Sequence, residues 1–405
     1  MTPPTEGPDL APPHGLASPS LILADMSRLP TLDGIRGLAI VLVLCHNVQR
    51  LGSPVGWFAR GVEFGLDLGW VGVQLFFVLS GYLITGILLD TKSAPNHFRS
   101  FFARRALRIF PLYYLTLVVI LVGLPLLGVN RHVPEPSLEA QLPFWLYYSN
   151  WAAPFGPPQY SLSHLWSLAV EEQFYWLWPF FIYRLSVQQT LRLCIGVAVA
   201  ALLIRGGMVF AHVAPNAIYQ FSFCRMDALA LGGAGAAVAR LRGPSDWMAA
   251  RQGPLLALTV TLVLVGQLIT RGYGQKDAIG QTLGYSILSL VFALLVSLAA
   301  LADRVGNRTA LRWARFAPLR ALGKYSYGIY VFHWPLHDLV GKPALAALHF
   351  EGGSDVAATL LYVGIVGAAS TLLAMLSYHL LEIRFLKFKG HFEASTGPVK
   401  ELKSG

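Results

Sequence analysis

Arg36 and His46 lie ten positions apart in the otherwise apolar run Ile35–Val48. A charged side chain in a bilayer helix costs roughly 3 kcal/mol or more, so such a residue marks a working site. A helix rises about 15 Å between these positions, half a hydrocarbon core. One end can therefore hold an anion near one membrane face while the imidazole does proton chemistry near the other. Two adjacent carboxylates, Glu171 and Glu172, supply a second titratable pair in another apolar run. Followed inward from its outer end, that run puts them about 10 Å below the outer face. The first run, followed outward, brings His46 to a similar depth, where a carboxylate could orient the imidazole as a general base.

A third group is cationic. Arg105 and Arg108, within Arg104-Arg105-Ala-Leu-Arg108-Ile-Phe-Pro111, are three apart and share a helical face. Ordinary membrane topology accounts for Arg99 and Arg104. A paired Arg face that enters the membrane beside Tyr113 and Tyr114 could also grip phosphates, whose oxygens match the guanidinium fork.

Other polar positions fall inside apolar runs. Small Ser80 and Gly81 permit close helix contact, the simpler role, while Ser80, Tyr82 and Trp166 are also candidates for a substrate path. Arg225 and Asp227 open another run as a possible internal ion pair. Tyr330 and His333 sit in the aromatic string Tyr325–Pro335, where a histidine is commonly a hydrogen-bonded core residue and alternatively lines the same path. Glu382 is expected to pair with Arg or Lys.

The elements that must position these groups are transmembrane helices. The 405 residues are 55% hydrophobic and 13% charged, with mean hydropathy +0.53, which excludes an ordinary soluble protein. Apolar runs near 34–50, 70–90, 107–128, 165–184, 192–211, 225–240, 255–270, 281–302, 325–341 and 356–382 predict an all-α, polytopic bundle of about ten spans. With both termini cytoplasmic, the outside loops hold only Arg50, Arg60, Arg131, Arg271, Lys276 and Lys342 of the 31 Lys and Arg residues. Arg36, Arg205 and Arg225 lie within spans, and the rest fall inside, as the positive-inside rule requires. That distribution, in short loops, argues against nucleic acid as the reason for the +10 charge.

Residues 1–30 carry no apolar core and read as a disordered cytoplasmic tail rather than a cleavable leader. Residues 31–390 form the membrane domain, and 391–405 a second cytoplasmic tail. The connection at about 129–164 is rich in Pro, Trp and Tyr (Pro134, Pro136, Trp145, Tyr147, Tyr148, Trp151, Pro157, Pro158). It suits an interfacial aromatic belt, or alternatively a lip that grips a bulky acceptor. Cys45, Cys194 and Cys224 show no metal spacing, and no metal is expected. Cys194 and Cys224 are expected at opposite membrane faces, too far apart for a disulfide.

Five strings taken in order resemble the acyltransferase-3 family of bacterial membrane acyltransferases: Leu32-Asp-Gly-Ile-Arg36-Gly; Leu75-Phe-Phe-Val-Leu-Ser80-Gly81-Tyr82; Arg104-Arg105-Ala-Leu-Arg108-Ile; Trp166-Ser167-Leu-Ala-Val-Glu171-Glu172-Gln173-Phe174-Tyr175; and Tyr325-Ser-Tyr-Gly-Ile-Tyr330. The resemblance runs from about 30 to 390. It implies an inner-membrane enzyme that moves an acyl group, often acetyl, from cytoplasmic acyl-CoA to a hydroxyl of a glycan, lipid-linked sugar or other natural product. It also implies that Arg36 and His46 form the first-helix motif and that Glu171, Glu172, Arg105 and Arg108 occupy motif positions. Two departures stand out. The family usually has ten residues between the Arg and the His, whereas nine separate Arg36 from His46 and Asn47 holds the usual place. At 100° per residue Asn47 lies about 20° from the Arg36 face and His46 about 80° away. Gln74 stands where an acidic residue is common, a difference expected to be minor.

The mechanism expected from these residues has three parts. Arg105, Arg108 and Arg36 hold the phosphates of acyl-CoA, Glu171 or Glu172 orients His46, and His46 deprotonates the acceptor hydroxyl. The rival reading is a transporter or flippase for an acylated lipid or glycan, with the buried charges as a proton relay. No internal inverted repeat supports it, and the Arg pairs cluster at one face rather than at the midplane.

Overall fold

The computed structural model describes residues 29–48, 56–128, 137–155, 161–306, 311–347 and 356–394. Nearly all of both expected tails, and Pro134, Pro136, Pro157 and Pro158, lie outside these residues. Ten long helices stand among the described residues: α1 (Pro30–Val48), α2 (Val71–Thr91), α3 (His97–Val118), α4 (Trp166–Arg184), α5 (Val187–Phe210), α6 (Ser222–Val238), α7 (Gln252–Ile269), α8 (Tyr285–Arg304), α9 (Ala317–Leu336) and α10 (Val356–Ser377). Each matches one of the apolar runs in the sequence.

Among the described residues, seven helical stretches are long and apolar enough to cross a membrane by length and composition. The long helices outside that set are α4, α6 and α9. Helix α6 has only 17 residues, α4 carries Glu171, Glu172 and Arg184, and α9 carries Arg320, Lys324 and His333. Their polar residues lower the mean hydropathy of these three helices. Polar groups within a bilayer survive where they face the bundle interior rather than lipid.

Helix α1 is central, packing most extensively on α9 and then on α2. Pro30 opens it as the first helical residue, where a missing N–H costs nothing. Asp303 pins that end by accepting hydrogen bonds from Thr31 N at 3.0 Å, Thr31 Oγ1 at 2.6 Å and Arg315 Nη2 at 2.8 Å. Arg36 therefore projects from an anchored turn. Gly323 of α9 lets the two backbones touch, since a Cβ there would sit 1.8 Å from the Asp33 carbonyl oxygen.

Helices α2 and α6 cross just as closely. A Cβ on Gly81 would lie 1.8 Å from the Leu229 carbonyl oxygen, so Gly81 has the packing role expected of it. Replacing it with leucine forces apart backbones that cannot yield, at about 1–3 kcal/mol or more. Gly81→Leu should lower the thermal midpoint of the purified protein and broaden its size-exclusion peak. Gly206→Ala, whose new methyl meets nothing within 4 Å, should leave both unchanged.

Candidate active site

Near the His46 end of α1 the bundle encloses a cavity of about 170 Å³ lined by His46, Asn47, His164, Trp166, Tyr330 and Trp334, among others. Gly69 lets its turn lie directly on α1, since a Cβ there would sit 2.2 Å from the Leu42 carbonyl oxygen and 3.0 Å from His46 Cβ. The imidazole of His46 has a buried Nδ1 without a hydrogen-bond partner. Asp67, at the end of the short helix Trp57–Asp67, gives the ring a backbone hydrogen-bond contact and a nearby negative charge. A ring held by one partner while a lone pair is left free is the arrangement of a general base.

Asn47 also faces the chamber. His333 donates from Nδ1 to the Tyr330 carbonyl at 2.6 Å, so its Nε2 accepts from Asn47 Nδ2 at 2.9 Å. The residue at the usual histidine position therefore orients another histidine. His333 is a fully buried, hydrogen-bonded core residue that touches the chamber lining through Asn47. Trp166 forms a wall, with its ring 4.8 Å from that of Tyr219. The Tyr330 hydroxyl lies 2.5 Å from Ser167 Oγ and donates to the His164 carbonyl at 2.8 Å.

The second polar centre gathers around Arg36. Its guanidinium is 3.5 Å from Asp33 and within mutual repulsion of Arg105 and Arg108. Arg105 lies over the Tyr175 ring at 4.9 Å. Lys389, from beyond α10, adds a cation near Arg105 and Arg108, and Glu382 has Arg108 as its charged neighbour. Among the described residues, only Arg36 of the three arginines has a carboxylate within ion-pair distance. Crowded guanidiniums from two helices can take phosphate oxygens.

The two glutamates belong to this second centre and not to His46. Glu171 accepts from Ser80 Oγ at 2.7 Å and from Tyr175 Oη at 3.1 Å, and both carboxylates lie within electrostatic reach of Arg105. The expected pairing with His46 therefore fails in this geometry. Trp166 is the α4 residue at the chamber, and Glu171 lies five residues further on, about 7.5 Å along the axis. Glu172 is buried, with Oε1 unpartnered.

Three other expectations are corrected. Tyr82 faces away from Ser80, towards a small pocket bounded by Gly235, Ser297 and Arg304, because residues two apart on a helix diverge by 200°. For the same reason Arg225 and Asp227 do not pair. Asp227 instead binds Arg205 Nη2 at 2.7 Å, with both side chains fully buried, so neither Asp227 nor Tyr82 borders the chamber. Tyr147 is buried in the bundle rather than exposed at its edge, stacking on Tyr113 at 4.3 Å, and half-buried Trp151 stacks on Phe221 at 4.8 Å. Gln173 clamps that segment, donating to the Tyr147 carbonyl at 2.7 Å and accepting from Trp151 Nε1 at 3.1 Å.

Gln74 proves central rather than minor. It is fully buried, accepts from Arg225 Nη2, and donates to Ser289 Oγ at 2.5 Å. With a neutral amide in place of a carboxylate, Arg225 relies on the faces of Tyr285 at 4.5 Å and Tyr219 at 5.0 Å, which attract a cation through their π-electrons. Arg225 thus sits behind the chamber wall that Tyr219 forms. Sequence reasoning missed His164, Asp67 and Asn47 as site residues. For His164 a signal was present in the string Ser163-His164-Leu165-Trp166, directly before the helix that carries both glutamates.

Residues 29–379 match a family model described as an acyltransferase domain. The chain is 29% identical over 335 residues to the peptidoglycan O-acetyltransferase OatA of Listeria monocytogenes, covering 77% of this chain and 50% of that protein. It is 31% identical over 377 residues to YrhL of Bacillus subtilis, named provisionally for peptidoglycan O-acetylation, with coverage of 87% and 54%. To the O-acetyltransferase OatA of Staphylococcus aureus it is 26% identical over 378 residues, with coverage of 87% and 56%. The chain spans about half the length of these curated relatives. No solved structure gives a significant match. With the matched stretch running from the foot of α1 to just beyond α10, this multi-pass membrane protein belongs to the acyltransferase-3 family.

Proposed function

We propose that the protein is an O-acyltransferase of the bacterial inner membrane that moves an acyl group, acetyl above all, from cytoplasmic acyl-CoA to a hydroxyl of an envelope glycan. The observation that carries this reading is the placement of two unlike centres at the two ends of α1. One is a cation cluster of Arg36, Arg105 and Arg108, and the other a chamber with the free Nδ1 of His46. In this reading both termini are cytoplasmic and the arginines bind the phosphates of acyl-CoA, with the acyl-bearing arm reaching towards the chamber. Glu171, Ser80 and Tyr175 steady Arg105 between visits of the donor, which makes the glutamates positioning residues.

The acceptor enters the chamber from the other side. His46 takes the hydroxyl proton as the oxygen bonds to the thioester carbonyl carbon. The carbon–sulfur bond then breaks and the thiol leaves as CoA. Asp67 holds the imidazole in orientation, the task first assigned to the glutamates. The names of the relatives from Listeria and Staphylococcus favour an acetyl donor, and the Listeria name favours a peptidoglycan acceptor.

The test is thiol release from acetyl-CoA by purified protein. The expected result is release that rises with added glycan acceptor, together with an acetylated product by mass spectrometry. Product-free uptake of an acylated glycan into vesicles, with no thiol released, would instead mark a carrier.

A further inference from the structure

His333 has both ring nitrogens engaged, and His46 has its ring steadied by Asp67. His164 is different. It is 5% exposed and lines the chamber, and although its ring has backbone contacts with Val331 and Tyr330, neither Nδ1 nor Nε2 makes a well-formed hydrogen bond. A neutral imidazole carries one N–H donor and one lone-pair acceptor, and burying both unmet is unfavourable unless a ligand or water meets them.

The ring is also held in place. The His164 carbonyl accepts from Tyr330 Oη at 2.8 Å and from Ser167 Oγ at 3.4 Å. Its ring stands edge-on to His333 with centroids 5.1 Å apart. Just upstream, Ser161 Oγ donates to Asp338 at 2.8 Å. The rest of the chamber offers aromatic walls, including Trp70, Trp166, Trp334 and Tyr219. A ligand that meets an imidazole nitrogen while covering aromatic faces is a sugar ring bearing hydroxyls.

We propose that His164 is the acceptor-binding residue of the chamber. One ring nitrogen exchanges a hydrogen bond with an acceptor hydroxyl. That grip fixes which hydroxyl is presented to His46. The proposal rests on the reading above in placing the acceptor in this chamber.

The probe is chitotriose, a hydroxyl-rich oligosaccharide, with acetyl-CoA as donor. In the wild-type protein, carbethoxylation of His164 by diethyl pyrocarbonate is followed by peptide mass spectrometry. Chitotriose should slow it severalfold while exposed His212 reacts at an unchanged rate. His164→Phe should raise the KM for chitotriose about ten- to hundredfold, the size of one lost hydrogen bond to a polar group, with the KM for acetyl-CoA unchanged. His164→Gln, which retains a donor and an acceptor, should recover most of the loss. Absence of protection overturns the proposal, as does an unaltered chitotriose KM in His164→Phe. If that variant fails to fold, the wild-type protection decides alone. Protection without acetyl transfer leaves the binding site standing and removes the transferase reading, whereas transfer without protection does the reverse.

Discussion

His46→Ala should reduce acetyl transfer by about 10²–10⁴-fold, the contribution of a positioned general base, while the purified protein keeps its elution profile. The side chain is half-buried and its Nδ1 bonds to nothing, so truncation removes a proton acceptor without breaking a described side-chain bond at that nitrogen. Asn47→Ala makes the informative comparison. It removes only the 2.9 Å bond to His333 and should cost less, through a looser ring. Initial rates with labelled acetyl-CoA at saturating acceptor distinguish the two. Near-native turnover by His46→Ala would remove that residue from the mechanism, and a larger loss for Asn47→Ala would move the base to His333.

Asp227→Ala has the largest expected effect on stability. Arg205 and Asp227 are 0% and 1% exposed, and the guanidinium also donates to the Cys224 carbonyl at 2.5 Å and Ser286 Oγ at 2.6 Å. That network joins α5, α6 and α8. Deleting the carboxylate strands a buried cation, a loss of about 3–5 kcal/mol for such pairs. Little monodisperse protein should survive extraction at 37 °C. The double variant Arg205→Met, Asp227→Leu removes both charges and should recover most of the thermal midpoint, because well-packed apolar replacements of buried pairs are often neutral. Equal instability of single and double variants would show that the hydrogen bonds, not the charge, hold these helices.

The helices were readable in the sequence because twenty or so apolar residues in a row have few alternatives in lipid. Arg105 and Arg108 were legible too, since three-residue spacing defines a face on any helix. Contacts between helices were not. The glutamates were matched to His46 by depth alone, yet depth along two antiparallel helices leaves rotation and starting height free, and Trp166 rather than Glu171 meets the chamber. Arg225 and Asp227 seemed paired because they are neighbours in sequence, although a helix turns them to opposite sides. The partner of Asp227 lies on another helix, 22 positions earlier. Asp67 escaped notice because it reaches His46 from a short helix whose position depends on how α2 packs against α1.

In the proposed mechanism the arginine cluster and the histidine chamber are two ends of one transfer site, open to opposite sides of the bilayer. Sealed proteoliposomes of defined orientation test it most directly, with labelled acetyl-CoA supplied on the Arg36 side and chitotriose on the His46 side. Labelled ester should accumulate on the chitotriose side, and exchanging the two compartments should abolish it. Equal product in both arrangements, or CoA release with no ester on the chitotriose side, would contradict the account.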